Sequence, residues 1–328
     1  MSREDFIVVG IDIGATKIAV CLADSQGEIL ASERFPCVSY TQSLEQMVEA
    51  VKKLTKAKDL NITSLAAGGI CAPGPLDADK GIIFKSPNMS WDSVPVRDDL
   101  QRALGIPFIL ENDANAGVLA EFYFGSARGK RDVIYLTMST GVGGGIISNG
   151  QLVRGRDGNA GELGHICLDL QGPLCGCGLR GCLEAYCGGK AVARRLQSVL
   201  KDWPEHAMFK LPCVDGKFEN LNFRALLDGA KAGIPLAREM WDEYCLRLAQ
   251  GIGIYTLAFN PESIILGTVA YYAGDFMLNP VRSYLPRFTW PQMLEHCEIR
   301  LSSLGLKIGE LAGASVAMRA AQQAGRQI

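Results

Sequence analysis

Phe6-Ile-Val-Val-Gly-Ile-Asp-Ile-Gly-Ala-Thr-Lys-Ile-Ala-Val-Cys-Leu22 reads as two β-strands, 6–13 and 18–22, joined by a turn over Gly14–Lys17. Its β-branched residues favour strand, and the small residues between them mark the turn. Asp24-Ser-Gln-Gly27 then separates the second strand from a third at 28–38. The same opening returns later in the chain. Residues 132–138 and 144–148 read as strands around a glycine-rich turn, with a third at 151–153.

Each set of strands leads into a similar series of elements. A helix is expected from Ser43, with Gln46 three residues on as in a capping box. Leu44, Met47, Val48, Val51 and Leu54 fall on one helical face. Strands at 64–71 and 108–110 and a helix at 114–124 complete the first half. The second half continues with a helix at 235–259, a strand at 263–266, a helix at 274–284, a strand at 298–302 and a helix at 309–324. Three strands twice lead into alternating helices and strands. The expected fold is α/β and duplicated, two related domains facing a cleft.

Composition narrows the function. A chain of 328 residues is long enough for about two compact domains. With 33 Lys and Arg against 35 Asp and Glu, the net charge of −2 offers no basic excess for nucleic acid or an anionic membrane. The aromatic residues are dispersed and make no stacking platform for bases. No apolar run approaches the ~18 residues of a membrane span, and the N-terminus lacks a signal-peptide core. Eleven cysteines, an odd number with a tight cluster, point to a reducing cytoplasm and metal ligation rather than disulfides.

Four constellations carry chemistry. In Asp12-Ile-Gly-Ala-Thr-Lys17, small residues let backbone N–H groups approach an anion, Thr16 and Lys17 add donors, and Asp12 could hold Mg²⁺ through water. An ordinary glycine hairpin with a solvated lysine would look the same, and the Walker A spacing is absent. Ser139-Thr-Gly-Val-Gly-Gly-Gly145 is the matching turn of the second half, a second phosphate cradle or a hairpin needing positive φ. In Glu111-Asn-Asp-Ala-Asn115, Asp113 either caps the next helix or serves as general base for a substrate hydroxyl, with Asn112 beside the same ligand.

The fourth is the most specific. His165, Cys175, Cys177 and Cys182 supply one imidazole and three thiols within eighteen residues, a closed Cys₃His set for a structural Zn²⁺. Cys167 and Cys187 are neighbours that could substitute, but are not expected to. Glu162 and Glu184 bracket the cluster. With one ring nitrogen on metal, the other nitrogen of His165 can face a polyhydroxylated ligand between the two carboxylates. His206 and His296 stand alone and read as surface or packing residues.

Together these motifs resemble the ROK family of repressors, open reading frames and sugar kinases, its bacterial glucokinase branch in particular. The resemblance runs through Asp12–Lys17, Ala72-Pro-Gly-Pro75, Ser86-Pro-Asn88 with Trp91, Glu111–Asn115, Thr140–Gly145, Gly161–His165 and Cys175–Glu184. It implies an actin-like, ribonuclease-H-type fold, with a first domain at 1–124 completed by a helix near 306–328. The second domain would span 125–305 and include a zinc module at 161–184. The implied activity is transfer from MgATP to the 6-hydroxyl of a hexose, glucose first. N-acetylmannosamine, N-acetylglucosamine, mannose and allose are alternatives, and a non-catalytic sugar sensor is an alternative of another class.

Residue by residue, the resemblance makes Asp113 the base, and Gly74, Asn88, Asn112, Glu162, His165 and Glu184 sugar ligands. His165, Cys175, Cys177 and Cys182 match the family's zinc ligands. Asp12, Gly14, Ala15, Thr16 and Lys17 match one nucleotide loop, and Thr140, Gly141, Gly143 and Gly144 the other, with Gly267 near the adenine side. A cytoplasmic homodimer or homotetramer is implied. Ser139 replaces a usual glycine, and Thr268 stands where a second glycine is more typical. The N-terminal helix-turn-helix of the family's repressors is not expected, since the first strand begins at once.

Overall fold

The structure, a computed structural model, describes residues 5–85 and 91–326. The first half supplies β1 (Ile7–Ile13), β2 (Lys17–Asp24), β3 (Ile29–Pro36), α1 (Tyr40–Ala57), β4 (Gly68–Ala72), a small hairpin β5 (Leu76–Asp77) and β6 (Ile82–Ile83), α2 (Val96–Leu104), β7 (Phe108–Asn112) and α3 (Asp113–Tyr123). The second supplies β8 (Val133–Met138), β9 (Val142–Ser148), β10 (Gln151–Leu152), α4 (Leu183–Cys187), α5 (Gly189–Leu200), α6 (Phe223–Lys231) and α7 (Pro235–Phe259). It closes with β11 (Ser263–Leu266), α8 (Val269–Ala273), α9 (Asp275–Tyr284), α10 (Pro291–Leu294), β12 (Glu298–Leu301) and α11 (Ile308–Gln323). No described helix is long and apolar enough to cross a membrane.

Two five-stranded sheets share one topology. The first runs β3-β2-β1-β4-β7 and the second β10-β9-β8-β11-β12. In each, three consecutive strands pair antiparallel and the next two join parallel to the first of them. The duplication read in the sequence is therefore present strand for strand. It also aligns the carboxyl ends of β1, β4 and β7 in one sheet and of β8, β11 and β12 in the other. Ligands in α/β sheets lie beyond such ends.

Local outcomes differ from the sequence reading where tertiary contacts intervene. Helix α1 begins at Tyr40, so Ser43 and Gln46 lie inside it and form no capping box. Ser43 Oγ instead accepts the Val38 N–H at 3.1 Å, tying the chain leaving β3 to the first helical turn. The strand expected over 64–71 starts later, at Gly68, because Asn61 caps a short 3₁₀ turn through the Thr63 N–H.

Helices α3 and α11 occupy the middle of the molecule. Residues 114–121 of α3 are all buried, which explains why that helix lacks a polar face. A Cβ on Gly145 of β9 would stand 2.5 Å from Ala114 O, and one on Gly117 would meet the Tyr135 ring at 2.5 Å, so α3 sits directly on the second sheet. Helix α11 closes on the first. A Cβ on Gly10 would be 2.3 Å from Ala314 N and one on Gly69 2.2 Å from Ala317 N. Only glycine lets helix and sheet backbones meet at that distance.

Candidate active site

The first turn, between β1 and β2, is closed by Gly14 N–H donating to Lys17 O at 2.9 Å, and Thr16 O accepts Cys37 N–H at 3.0 Å. The N–H groups of Ala15 and Thr16 have no hydrogen-bond partner among the described residues. At the equivalent place in the second half, Ser139 N–H donates to Gly141 O at 2.9 Å. The first N–H groups of α5 hold this turn from behind, Gly189 to Ser139 O at 2.9 Å and Lys190 to Thr140 O at 3.0 Å. The N–H groups of Thr140 and Gly141 are likewise unpaired among the described residues. Each half thus presents adjacent free backbone donors, the requirement for an anion cradle.

The glycines that follow the second cradle also have a packing role. Gly143 and Gly144, expected to bind phosphate, lie within β9, and packing explains the glycines. A Cβ on Gly144 would meet Leu163 at 2.6 Å, and one on Gly143 would press on Thr137 at 3.1 Å. At Gly267 a Cβ would stand 2.0 Å from Tyr135 Oη, again a packing demand. Gly74 differs, since a Cβ there would meet nothing within 4 Å among the described residues.

Between the cradles lie two carboxylates. Asn112, not Asp113, caps α3: its Oδ1 accepts the Asn115 N–H at 2.7 Å. This corrects the capping role offered for Asp113, whose side chain, in the first turn, is left open to the cleft. The protein around it raises the Asp113 pKa by desolvation, Glu162 adds to the rise, and the N–H groups of Ala114 and Asp113 oppose it. Asp12, near the end of β1, is pushed up to about 6 by burial and then by the Asp113 charge, against the Cys71 thiol, Lys17 and Arg34. Two acids held above the ordinary aspartate range in one cleft, Asp12 partly by the charge of Asp113 and Asp113 partly by that of Glu162, suit a site that receives positive charge.

Behind Asp113, Glu111 is buried and accepts Asn115 Nδ2 at 3.0 Å, and Arg154 Nε lies 2.9 Å from its other oxygen. Arg154 also reaches Asp79 at 2.7 Å. The arginine comes just after β10, so it ties the second half to the strand that carries Asn112.

The Cys₃His residues come together. Their ligand atoms all lie within 4.8 Å of one another, with Cys175 Sγ 3.6 Å from His165 Nδ1 and Cys177 Sγ 3.7 Å from Cys182 Sγ. A tetrahedral zinc with bonds of about 2.3 Å to sulfur and about 2.0–2.1 Å to nitrogen spaces its ligands by about 3.8 Å and about 3.6 Å. The donors and their spacing fit that ion. Nδ1 faces the sulfurs, and Nε2 points the other way, 3.8 Å from Glu162 Oε2. Glu184 Oε1 lies 3.6 Å from Cys175 Sγ, while its Oε2 accepts the Val142 N–H at 2.9 Å. Cys187 is buried elsewhere, with its thiol toward Tyr244 O. Asn88 lies outside the described residues.

A cavity of about 870 Å³ opens beside the second cradle, lined among others by Thr140, Lys190, Asn222, Arg224, Lys231 and Tyr272. The sequence reading missed this wall. Its signal was Asn222, whose side chain caps α6 through the Arg224 and Ala225 N–H groups, ahead of the apolar Leu226, Leu227 and Ala230. Thr268 borders the same region with φ 52° and ψ −110°, a backbone suited to glycine. Its hydroxyl accepts the Met138 N–H at 2.7 Å and also donates to Met138 O, fastening the end of β8 just before the cradle.

Duplicated sheets with paired turns of free backbone donors across a cleft define a protein of the actin-like ATPase fold. The ROK family pattern matches residues 8–320, and the chain belongs to that family. It is 34% identical to a glucokinase of Thermotoga maritima over 94% of this chain and 96% of that one. It is 29% identical to a xylose repressor of Bacillus spizizenii over 94% of this chain and 76% of the repressor. Among solved structures it resembles a ROK hexokinase from Thermus thermophilus, with TM-score 0.83, 33% identity, and 97% and 100% of the two chains covered. A ROK glucokinase from Streptomyces griseus in complex with glucose and AMPPNP aligns with TM-score 0.76 and 32% identity, covering 96% of this chain and 100% of that one.

Proposed function

We propose that this chain phosphorylates the 6-hydroxyl of a hexose with MgATP, and that the hexose is glucose. The observation that carries the reading is Asp113, open to the cleft between two pairs of unpaired backbone N–H groups. Ala15 and Thr16 on one side and Thr140 and Gly141 on the other would hold the triphosphate, with the nucleoside in the cavity lined by Asn222 and Tyr272. Lys17 adds positive charge beside the phosphates, and Asp12 would orient the water shell of Mg²⁺, which neutralises phosphate charge when bound. Asp113 would take the hydroxyl proton as the phosphoryl group moves in line.

Glu162, His165 Nε2 and Glu184, with Asn112 Nδ2 and the open space at Gly74, would bind the sugar hydroxyls. Asn88 would join them. Zinc in the Cys₃His cluster would fix the His165 ring through Nδ1. We further propose two domains, 1–124 completed by α11 and 125–305, in a cytoplasmic homodimer or homotetramer.

The xylose repressor similarity favours one second reading, a sugar sensor without turnover. ADP formation by the zinc-replete protein, measured with MgATP and a panel of hexoses and N-acetylhexosamines, separates the two. Turnover best with glucose supports the proposal. Preference for N-acetylmannosamine, N-acetylglucosamine, mannose or allose keeps the kinase and changes its sugar. Sugar binding without ADP formation supports the sensor.

A further inference from the structure

Cys167 lies outside the four-ligand cluster, yet it stands opposite one of its members. Leu168 N–H donates to Gly181 O at 2.7 Å and Leu183 N–H to Ile166 O at 3.0 Å, bracketing an antiparallel bridge between Cys167 and Cys182. This pattern makes the two cysteines a non-hydrogen-bonded pair, whose Cα atoms stand about 4.5 Å apart with side chains on one face. Disulfides form at Cα separations of about 4.4–6.8 Å, so side-chain rotation alone can join the two sulfurs.

Their environments differ. Cys182 is fully buried, whereas Cys167 is exposed and its thiol donates to Arg180 O at 3.3 Å. With zinc in place, Cys175, Cys177 and Cys182 commit their sulfur lone pairs to the ion, and Cys167 does not. Oxidation at thiols follows exposure and free thiolate character.

We propose that Cys167 is a covalent modification site, the thiol of the zinc module that hydroperoxides oxidise first, and that Cys182 resolves it. The proposal rests on the zinc reading above. The Cys167 thiolate attacks one peroxide oxygen, the O–O bond breaks, and the products are a sulfenic acid and a water or alcohol. The Cys182 sulfur then attacks the sulfenyl sulfur. An S–S bond forms, the S–O bond breaks, and the hydroxide leaves as water after taking up a proton. Two electrons pass from two thiols to the peroxide, and a dithiol reductant reverses the change. Only three of the four ligands then remain, zinc is released, and His165 loses the partner of its Nδ1.

The test begins with metal analysis of the purified protein. If the reduced protein holds no zinc, the zinc reading falls, and this proposal with it. On zinc-loaded protein, hydrogen peroxide is added, zinc release is followed with a chromogenic chelator, and disulfides are mapped by non-reducing peptide mass spectrometry. The expected result is a Cys167–Cys182 disulfide formed in step with zinc release. Cys167→Ser, exposed and outside the cluster, should load zinc normally and release it about tenfold more slowly. Zinc release from Cys167→Ser at the parent rate, or disulfides confined to Cys175, Cys177 and Cys182, would overturn the proposal.

Discussion

Glu184 Oε2 accepts the backbone N–H of Val142 at 2.9 Å, so a carboxylate two residues past Cys182 closes the end of the turn that carries the free N–H groups of Thr140 and Gly141. One side chain therefore touches both the Cys₃His cluster, at Cys175, and the turn proposed to hold nucleotide. Glu184→Ala should raise KM for sugar and for ATP together. Glu184→Gln keeps a carbonyl acceptor for Val142, so its ATP KM should stay near the parent value while sugar affinity falls. An unchanged ATP KM in Glu184→Ala would sever this link.

Asp113 makes no cap, so replacing it should spare the fold. Asp113→Asn is expected to lower kcat by about 10²–10⁴, the range for a lost general base, with a melting temperature no lower than the parent's. Steady-state ADP formation and a thermal melt suffice as the check. Turnover within tenfold of the parent would remove Asp113 from the role.

Protonation gives the site a pH signature. Asp12 has a folded pKa of about 6 against an ordinary 3.8, so the folded chain binds its proton more tightly than the unfolded chain does. Its contribution to stability is complete below about pH 4 and is lost as pH rises through about 6. Asp12→Asn should remove that slope and stabilise the ligand-free protein at pH 8 by up to about 3 kcal/mol. Denaturant midpoints at pH 5 and pH 8 measure it, and parallel curves for parent and variant would refute it. Activity should take the opposite course, falling in acid at a pH above the ordinary aspartate range, because Asp113 must be ionised and its pKa is raised.

Thr268 sets a positive-φ backbone against two hydrogen bonds to Met138. Thr268→Gly relieves about 1–3 kcal/mol of strain and loses hydrogen bonds of similar worth, so stability should barely change. Thr268→Ala keeps the strain, loses the bonds and should destabilise. Both should raise KM for ATP without raising KM for sugar, and Thr268→Ser should restore it. Equal effects on both substrates would make Thr268 a purely structural residue.

Cys177→Ser tests the metal module. It should lose zinc and sugar affinity together, because His165 Nε2 is aimed only while Nδ1 is held. Metal analysis paired with sugar titration reads both quantities. Lost zinc with unchanged sugar affinity would make the cluster a staple alone.

The paired three-strand openings were legible because period-two patterns and small-residue turns are local features. The same holds for Cys175–Cys182, where ligand spacing is itself the message. Helix α5 and the cavity wall at Asn222 and Arg224 were not. Their residues face a site that exists only after α5 docks against Ser139 and Thr140. Gly143 and Gly144 were ambiguous for the same reason: a glycine run reads alike whether phosphate or a neighbouring side chain needs the space. Asp113 and Asn112 show the limit most sharply, since either could cap a helix and only the folded turn decides which one does.

Helix α11 rests on Gly10 and Gly69, yet it is made long after them. Roughly 300 residues separate β1 from α11, and at about 5–20 residues per second synthesis leaves the first sheet uncovered for roughly 15–60 s. Through that interval the apolar faces of Val8, Cys21 and Ala23, which later pack against Ala314, Ala317 and Met318, stand bare on the ribosome. The newborn chain is most vulnerable to aggregation there, and a stop codon a few residues before Ile308 would make that exposure permanent.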